Sequence, residues 1–220
     1  MKNKIIAFLS LVIISVGCKK SENNIPTQDP VSLSLKLSTD SNFTSIVKNE
    51  MVLSNAIQNI LVDKKMNADS LILLLSKLNS GDNNEAVIKK NLNNLGSPML
   101  YEYLQNFSIE YKRNWINLTN TYNTIPTNVI NEACSKYLQQ QNLLSLNNVE
   151  RISSNGMNIT FGGQCGWGYS LCIAGATAGA VICHASCIGA TAGFGAPVCL
   201  LLCGTIQVAA GAQCMKSYCN

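Results

Sequence analysis

Ten cysteines and one histidine carry most of the reactive side-chain chemistry in this 220-residue chain. The cysteines are Cys18, Cys134, Cys165, Cys172, Cys183, Cys187, Cys199, Cys203, Cys214 and Cys219, and eight of them crowd into the last 56 positions. Thiols at that density behind an export signal read as disulfides. A zinc site usually brings C-x-x-C pairs or histidine partners at metal spacing. The chain has no C-x-x-C, and His184 is its only histidine, so neither a metal site nor a cofactor is expected. Catalysis finds equally little to work with. A Ser-His-Asp arrangement needs a histidine near an acid, and His184 lies in a stretch that holds no acidic residue. Nothing pairs Glu102, Glu110 or Glu132 as an acid and a base. Cys134 stands alone at an apolar-facing helical position and reads as a buried thiol. The reading is therefore no catalytic residue and no enzyme.

The cysteine spacing implies the elements that hold it. Successive gaps from Cys165 are 7, 11, 4, 12, 4, 11 and 5, nearly a palindrome about the Cys187–Cys199 loop. On an α-helix, steps of four and eleven residues leave net drifts of about 40° and 20°. Cys172, Cys183 and Cys187 then share a face of one helix, and Cys199, Cys203 and Cys214 a face of the next. Gly189, Gly193, Gly195 and Pro197 between them can end one helix and start another. Antiparallel packing brings matching cysteines level and predicts Cys187–Cys199, Cys183–Cys203, Cys172–Cys214 and, more loosely, Cys165–Cys219. Eight cysteines allow many other connectivities, and a mini-bundle of three or more short helices competes with the hairpin. Gly175-x-x-x-Gly179 and Gly189-x-x-x-Gly193 are small-residue pairs of the kind that let helices approach closely.

Charge divides the chain in two. All twelve acidic residues fall between Glu22 and Glu150, whereas from Gln164 to Asn220 the only charged side chain is Lys216. The net charge of +4 is thus spread along the chain. No basic face is visible, and nucleic acid is not an expected partner. Residues 31–150 read as an all-α domain. Ile46, Val52, Leu53, Ile57, Ile60 and Leu61 mark one helix, with Thr39 or Ser41 as its N-cap. A second runs from Asp69 to a stop at Ser80-Gly81-Asp82, and a third from Glu85 to Leu95. A fourth, from about Pro98 to Leu118, carries Tyr103, Phe107, Tyr111 and Trp115 every four residues. A fifth covers Thr127–Gln141. The aromatic series reads as a packed stripe more readily than as a binding face. The fold class is all-α: a small N-terminal helical bundle plus a disulfide-stapled C-terminal helical hairpin or mini-bundle.

The termini of these units look like processing signals. Residues 1–18 open with Lys2 and Lys4, continue through an apolar run from Ile5 to Ile14, and end at Gly17-Cys18. This pattern is a secretory signal peptide by length and flanks. The small residue before Cys18 resembles a bacterial lipobox, although Ser15 departs from the leucine usual there. That resemblance implies lipidation of Cys18 and stable anchoring. Residues 19–30 are polar with Pro26 and Pro30, and read as a tether. Residues 151–163 are a linker ending in Gly162-Gly163. Double glycine before a cysteine-rich peptide resembles the cleavage site of bacteriocin leaders.

Residues 164–220, cysteine-rich, Gly/Ala-rich and almost uncharged, resemble the halocin C8-like bacteriocin domain. The match rests on composition and cysteine spacing over a quarter of the chain. It implies a precursor whose C-terminal module is an antimicrobial peptide acting by insertion into a target-cell membrane, with residues 31–150 as a pro- or immunity region. The alternative is a non-toxic surface lipoprotein that uses the stapled module as a structural or partner-binding cap. The clamp and cap forms both imply intramolecular contact between residues 31–150 and 164–220. The expected location is exported and lipid-anchored at the cell envelope, on the outer membrane or surface, with the C-terminal peptide secreted where it is cut free.

Overall fold

The computed structural model describes residues 29–80, 84–141, 152–154, 157–159, 167–190 and 195–219. The signal peptide, Cys18, nearly all of the tether, Gly162, Gly163 and Cys165 lie outside the described residues. Apart from one short two-stranded ladder the described part is helical and its class is all-α, with a C-terminal pair of disulfide-linked helices.

Local chemistry sets the helix boundaries. α1 (Pro30–Thr39) starts with proline in its first turn, and the Asp29 side chain accepts from Val31 N. α2 (Ser41–Asp63) is capped by Asp40, whose carboxylate accepts from Asn42 N and Phe43 N. The cap is thus the residue between the two expected, because a carboxylate there reaches two otherwise unpaired amides. α3 (Ala68–Ser80) has Asn67 Oδ1 accepting from Ser70 N, and α4 (Glu85–Leu95) has Asn84 Oδ1 accepting from Val87 N. α5 (Leu100–Tyr122) ends at Asn123, whose φ of 58° breaks the helix. α6 (Thr127–Gln140) follows Pro126. A three-residue antiparallel ladder pairs β1 (Ile152–Ser154) with β2 (Met157–Ile159), Ile152 facing Ile159, inside the expected linker. α7 (Trp167–Ala190) and α8 (Ala196–Tyr218) complete the chain.

Among the described residues, six helices therefore precede the hairpin where the sequence predicts five, and α1 is the addition. Its Leu33, Ser34, Leu37 and Ser38 are the buried residues, so half its inner face is polar and shows no apolar stripe. Ser34 Oγ and Ser38 Oγ each donate to a carbonyl three residues earlier in the same helix, and Ser34 Oγ also accepts from Lys136 Nζ of α6 at 2.7 Å.

The hairpin sits inside the bundle. α7 packs on α6, α2 and α5, and α8 packs on α3, α2 and α5. α1 lies against α6, and α4 against α5. Leu53 and Ile57 of α2, Tyr111 of α5, Ala133 of α6, Val181 of α7 and Leu200 and Leu201 of α8 all belong to one apolar core. The mini-bundle alternative gives way to two long helices, each continuous through its cysteines. The expected close approach at Gly175 and Gly179 is not found. A Cβ at Gly175 would meet only Asn131 Oδ1 at 4.0 Å, and one at Gly179 would meet nothing within 4 Å. Close approaches lie instead at Gly204, where a Cβ would stand 2.5 Å from Ile57 Cδ1, and at Gly168, where one would stand 2.5 Å from Tyr218 Cε1. The i, i+4 glycine pattern marks a face, but α7 turns other residues toward its neighbours.

Candidate functional site

Three disulfides staple the hairpin: Cys172–Cys214, Cys183–Cys203 and Cys187–Cys199, with Cα–Cα distances of 5.7, 5.8 and 5.8 Å. These are the three inner rungs of the ladder implied by the spacing, spread along both helices because cysteines 4 and 11 residues apart share a helix face. Cys219 is disulfide-bonded as well. Sulfur atoms of the two rungs nearest the turn crowd together, with Cys187 Sγ 3.4 Å from Cys203 Sγ. Both belong to disulfides, so neither is a free thiolate. Disulfides and two long apolar helices fit an exported or membrane-associated protein.

The polar centre of the molecule is a contact that the sequence did not reveal. Glu50 of α2 and His184 of α7, 134 positions apart, meet with Oε1 2.6 Å from Nδ1, and both are fully buried. His184 Nε2 lies 2.8 Å from the Leu200 carbonyl of α8. A carbonyl can only accept, so Nε2 must carry hydrogen and donate to it. One proton then lies between Nδ1 and Oε1, giving an imidazolium–carboxylate or an imidazole–carboxylic acid pair, either of them neutral overall. Glu50 Oε2 is buried with no hydrogen-bond partner among the described residues. Burial is the largest influence on His184 and lowers its pKa. The charge of Glu50, its hydrogen bond and the Leu200 carbonyl oppose burial, and the net pKa is raised.

The aromatic stripe is the wall of this node. Phe107 and Tyr111 meet the imidazole edge-on at centroid distances of 5.6 and 5.8 Å. Tyr111 donates through its hydroxyl to the Val181 carbonyl at 2.5 Å and is fully buried, which drives its pKa upward. Tyr103 is raised to about 12, first by burial and then by the charges of Glu50 and Glu110. Cys134 is free and buried as expected, and burial followed by the Glu50 charge pushes its thiol pKa up. The thiol therefore stays protonated and unreactive. A second polar pin lies further along: Ser54 Oγ of α2 donates to Gln207 Oε1 of α8 at 2.9 Å, and Gln207 Nε2 donates to Thr177 Oγ1 of α7 at 3.3 Å.

Glu102 and Glu110, considered above as acids, are not brought together. Glu102 pairs with Lys89 at 2.6 Å, and Glu110 accepts from Ser45 Oγ at 3.3 Å. Glu132 pairs with Lys136 one turn on. The burial of Glu50, though not its partner, has a local signal. The residue lies three positions after Val47 and three before Leu53, on the stripe that includes Ile46 and Ile57. An acid on an apolar stripe needs a buried partner. The node is sealed from solvent, so its chemistry is to hold a proton and bind two halves of the chain together. An open groove of about 300 Å³ runs between Trp115, Ile125 and Ile130 on one side and Ile182 and Ser186 on the other. No family model, curated protein or solved structure matches this chain.

Proposed function

We propose that this chain is a bacteriocin-like precursor lipoprotein in which α1–α6 hold an apolar, disulfide-stapled effector, α7–α8, in a latent form. The observation that carries this reading is a mismatch between composition and burial. Helices that serve only as the core of a soluble bundle are apolar on the covered face and polar on the other. Gly168–Gly189 and Ala196–Tyr218 reach mean hydropathies of 1.8 and 1.7 over their most apolar windows and carry a single charged side chain, Lys216, between them. Yet only 39% and 44% of their most apolar windows are buried. The half-buried remainder, with Leu171, Met215 and Tyr218 exposed, suits a second environment, a target-cell membrane, and the staples keep both helices together on the way there. The resemblance of residues 164–220 to halocin C8-like domains supports the same role. In this reading Cys18 carries the lipid that anchors the precursor at the envelope, and cleavage after Gly163 frees the peptide.

The test is direct. Oxidised peptide 164–220 should inhibit growth of related strains and release dye from lipid vesicles, and the intact precursor should do neither. A peptide inert in both assays ends the reading. Replacing Cys18 with alanine should move the protein from the membrane fraction to the soluble one, whatever the peptide does.

A second reading is favoured by the Glu50–His184 contact. A buried charge pair that joins the two parts also suits a non-toxic surface lipoprotein whose stapled module is a permanent structural cap. Limited proteolysis between α6 and α7 separates the two readings. Halves that part under mild conditions indicate a precursor, and halves that co-purify until denatured indicate the cap.

A further inference from the structure

The node formed by Glu50 and His184 has properties that neither reading uses. Its proton count is fixed by geometry. Nε2 must donate to Leu200 O, and one proton sits between Nδ1 and Oε1. With that proton the node is neutral. Without it, a carboxylate faces the lone pair of a neutral imidazole. With one more, an imidazolium faces a neutral acid. Either change leaves a net charge in a place where both side chains are 0% exposed, and unpaired buried charge is strongly disfavoured.

Among the described residues, the surroundings offer no compensating charge. The titratable groups facing the node are Tyr103 and Tyr111 from α5 and Cys134 from α6, and each is held toward its neutral, protonated form. α8 supplies the Leu200 carbonyl, and its one charged residue, Lys216, lies 16 residues further on. That is about 24 Å along the helix. Every partner of His184 in the node belongs to another helix, so a charge left there acts on the contact between the hairpin and the bundle.

We propose that Glu50 and His184 form a proton-operated latch that holds α7–α8 in the bundle while one proton is shared and loosens it when that proton is lost. The latch rests on the effector reading for its purpose, because only a detachable hairpin needs releasing. Its chemistry stands on the contact alone.

The test is urea unfolding of the full mature chain, wild type against the E50Q/H184Q double variant, followed by circular dichroism from about pH 4 to about pH 10. The sign follows from the raised folded-state value of His184. Its contribution is complete below the unfolded value and is lost as pH climbs through the folded one. Relative to the double variant, the wild-type ratio of folded to unfolded chain should be flat near neutrality. It should then fall on the alkaline side by up to about tenfold per pH unit, the limit for one linked proton. Parallel curves for the two proteins overturn the latch. Should the double variant not fold, the imidazole proton resonances of the wild type decide, since His184 is the only histidine. A midpoint above the ordinary value of about 6.5 supports the latch, and one at or below it with the bundle intact overturns it. Wild-type chain cut between α6 and α7 separates the latch from the effector reading. Halves that separate at alkaline pH and then leak no vesicle dye support the latch and end the effector role.

Discussion

Replacing Gly204 with alanine tests, by the sign of its effect, whether α8 is seated against α2. In a helix with nothing nearby, glycine to alanine is stabilising by about 1 kcal/mol, because alanine loses less backbone freedom on folding. Gly179 of α7 is such a position, exposed and with no atom within 4 Å of an added methyl. Gly204 is the opposite case. Its Cβ would stand 2.5 Å from Ile57 Cδ1, 3.2 Å from Leu53 Cδ2 and 3.3 Å from Leu53 Cγ. The nearest of these is the tip of a side chain, but Ile57 and Leu53 are both fully buried, so neither can swing clear without disturbing the core. Overpacking of this kind costs about 1–3 kcal/mol, and a 2.5 Å approach belongs near the upper end. Set against the propensity gain, Gly204→Ala should be destabilising by about 1–2 kcal/mol and Gly179→Ala stabilising by up to about 1 kcal/mol. Urea unfolding of the oxidised protein reads both. Ile57→Val removes the offending Cδ1, so the G204A/I57V pair should lose clearly less than its two single losses together. If Gly204→Ala is stabilising, or if the pair is additive, α8 is not packed on α2 in this way.

Two further outcomes can be measured on the same preparation. The Cys172–Cys214 staple closes a loop of separation 42 and Cys187–Cys199 one of 12. Chain entropy values these at about 4 and about 3 kcal/mol, so paired alanines at the first should lower the urea midpoint more, and a reversed order would put packing ahead of entropy. Tyrosinate absorbance on raising pH should lag that of the urea-unfolded chain, because Tyr103 is raised to about 12 and Tyr111 well above its ordinary value. A raised pKa means stability present in full below about pH 10 and lost as pH climbs through the folded-state value, and coincident titration of native and unfolded chains would contradict the burial of both rings.

What could be read from the sequence depended on whether the signal was local. The cysteine ladder was legible because intervals of four and eleven residues fix a helical face whatever the rest of the chain does. The N-cap of α2 lies within one residue of the expected Thr39 or Ser41, but α5 runs past the expected end at Leu118 to Tyr122, where the positive φ of Asn123 stops it. α1 was hidden by Ser34 and Ser38, which break the apolar stripe and donate to their own backbone, while the Lys136 contact to Ser34 comes from 102 positions away. The meeting of Glu50 with His184 was invisible for a different reason. It joins residues 134 positions apart, and no period or spacing carries information across that distance without the fold.

The same distance explains what the polar contacts do. Helices as weakly patterned as α7 and α8, with one charged side chain between them, gain similar burial over a range of rotations about their axes, so burial alone selects their docking weakly. Directional contacts select it. His184 reaches Glu50 and Leu200 O only with one face of α7 turned inward, and Tyr111 reaches Val181 O only at the matching height. Gln207 repeats the constraint by bonding Ser54 of α2 and Thr177 of α7 together. An apolar pair in place of Glu50 and His184 can be as stable as the charged one, so stability is not the property that requires them. They set rotation and register in helices whose composition leaves both open. They also make the docked arrangement sensitive to a single proton, which an apolar pair would not be.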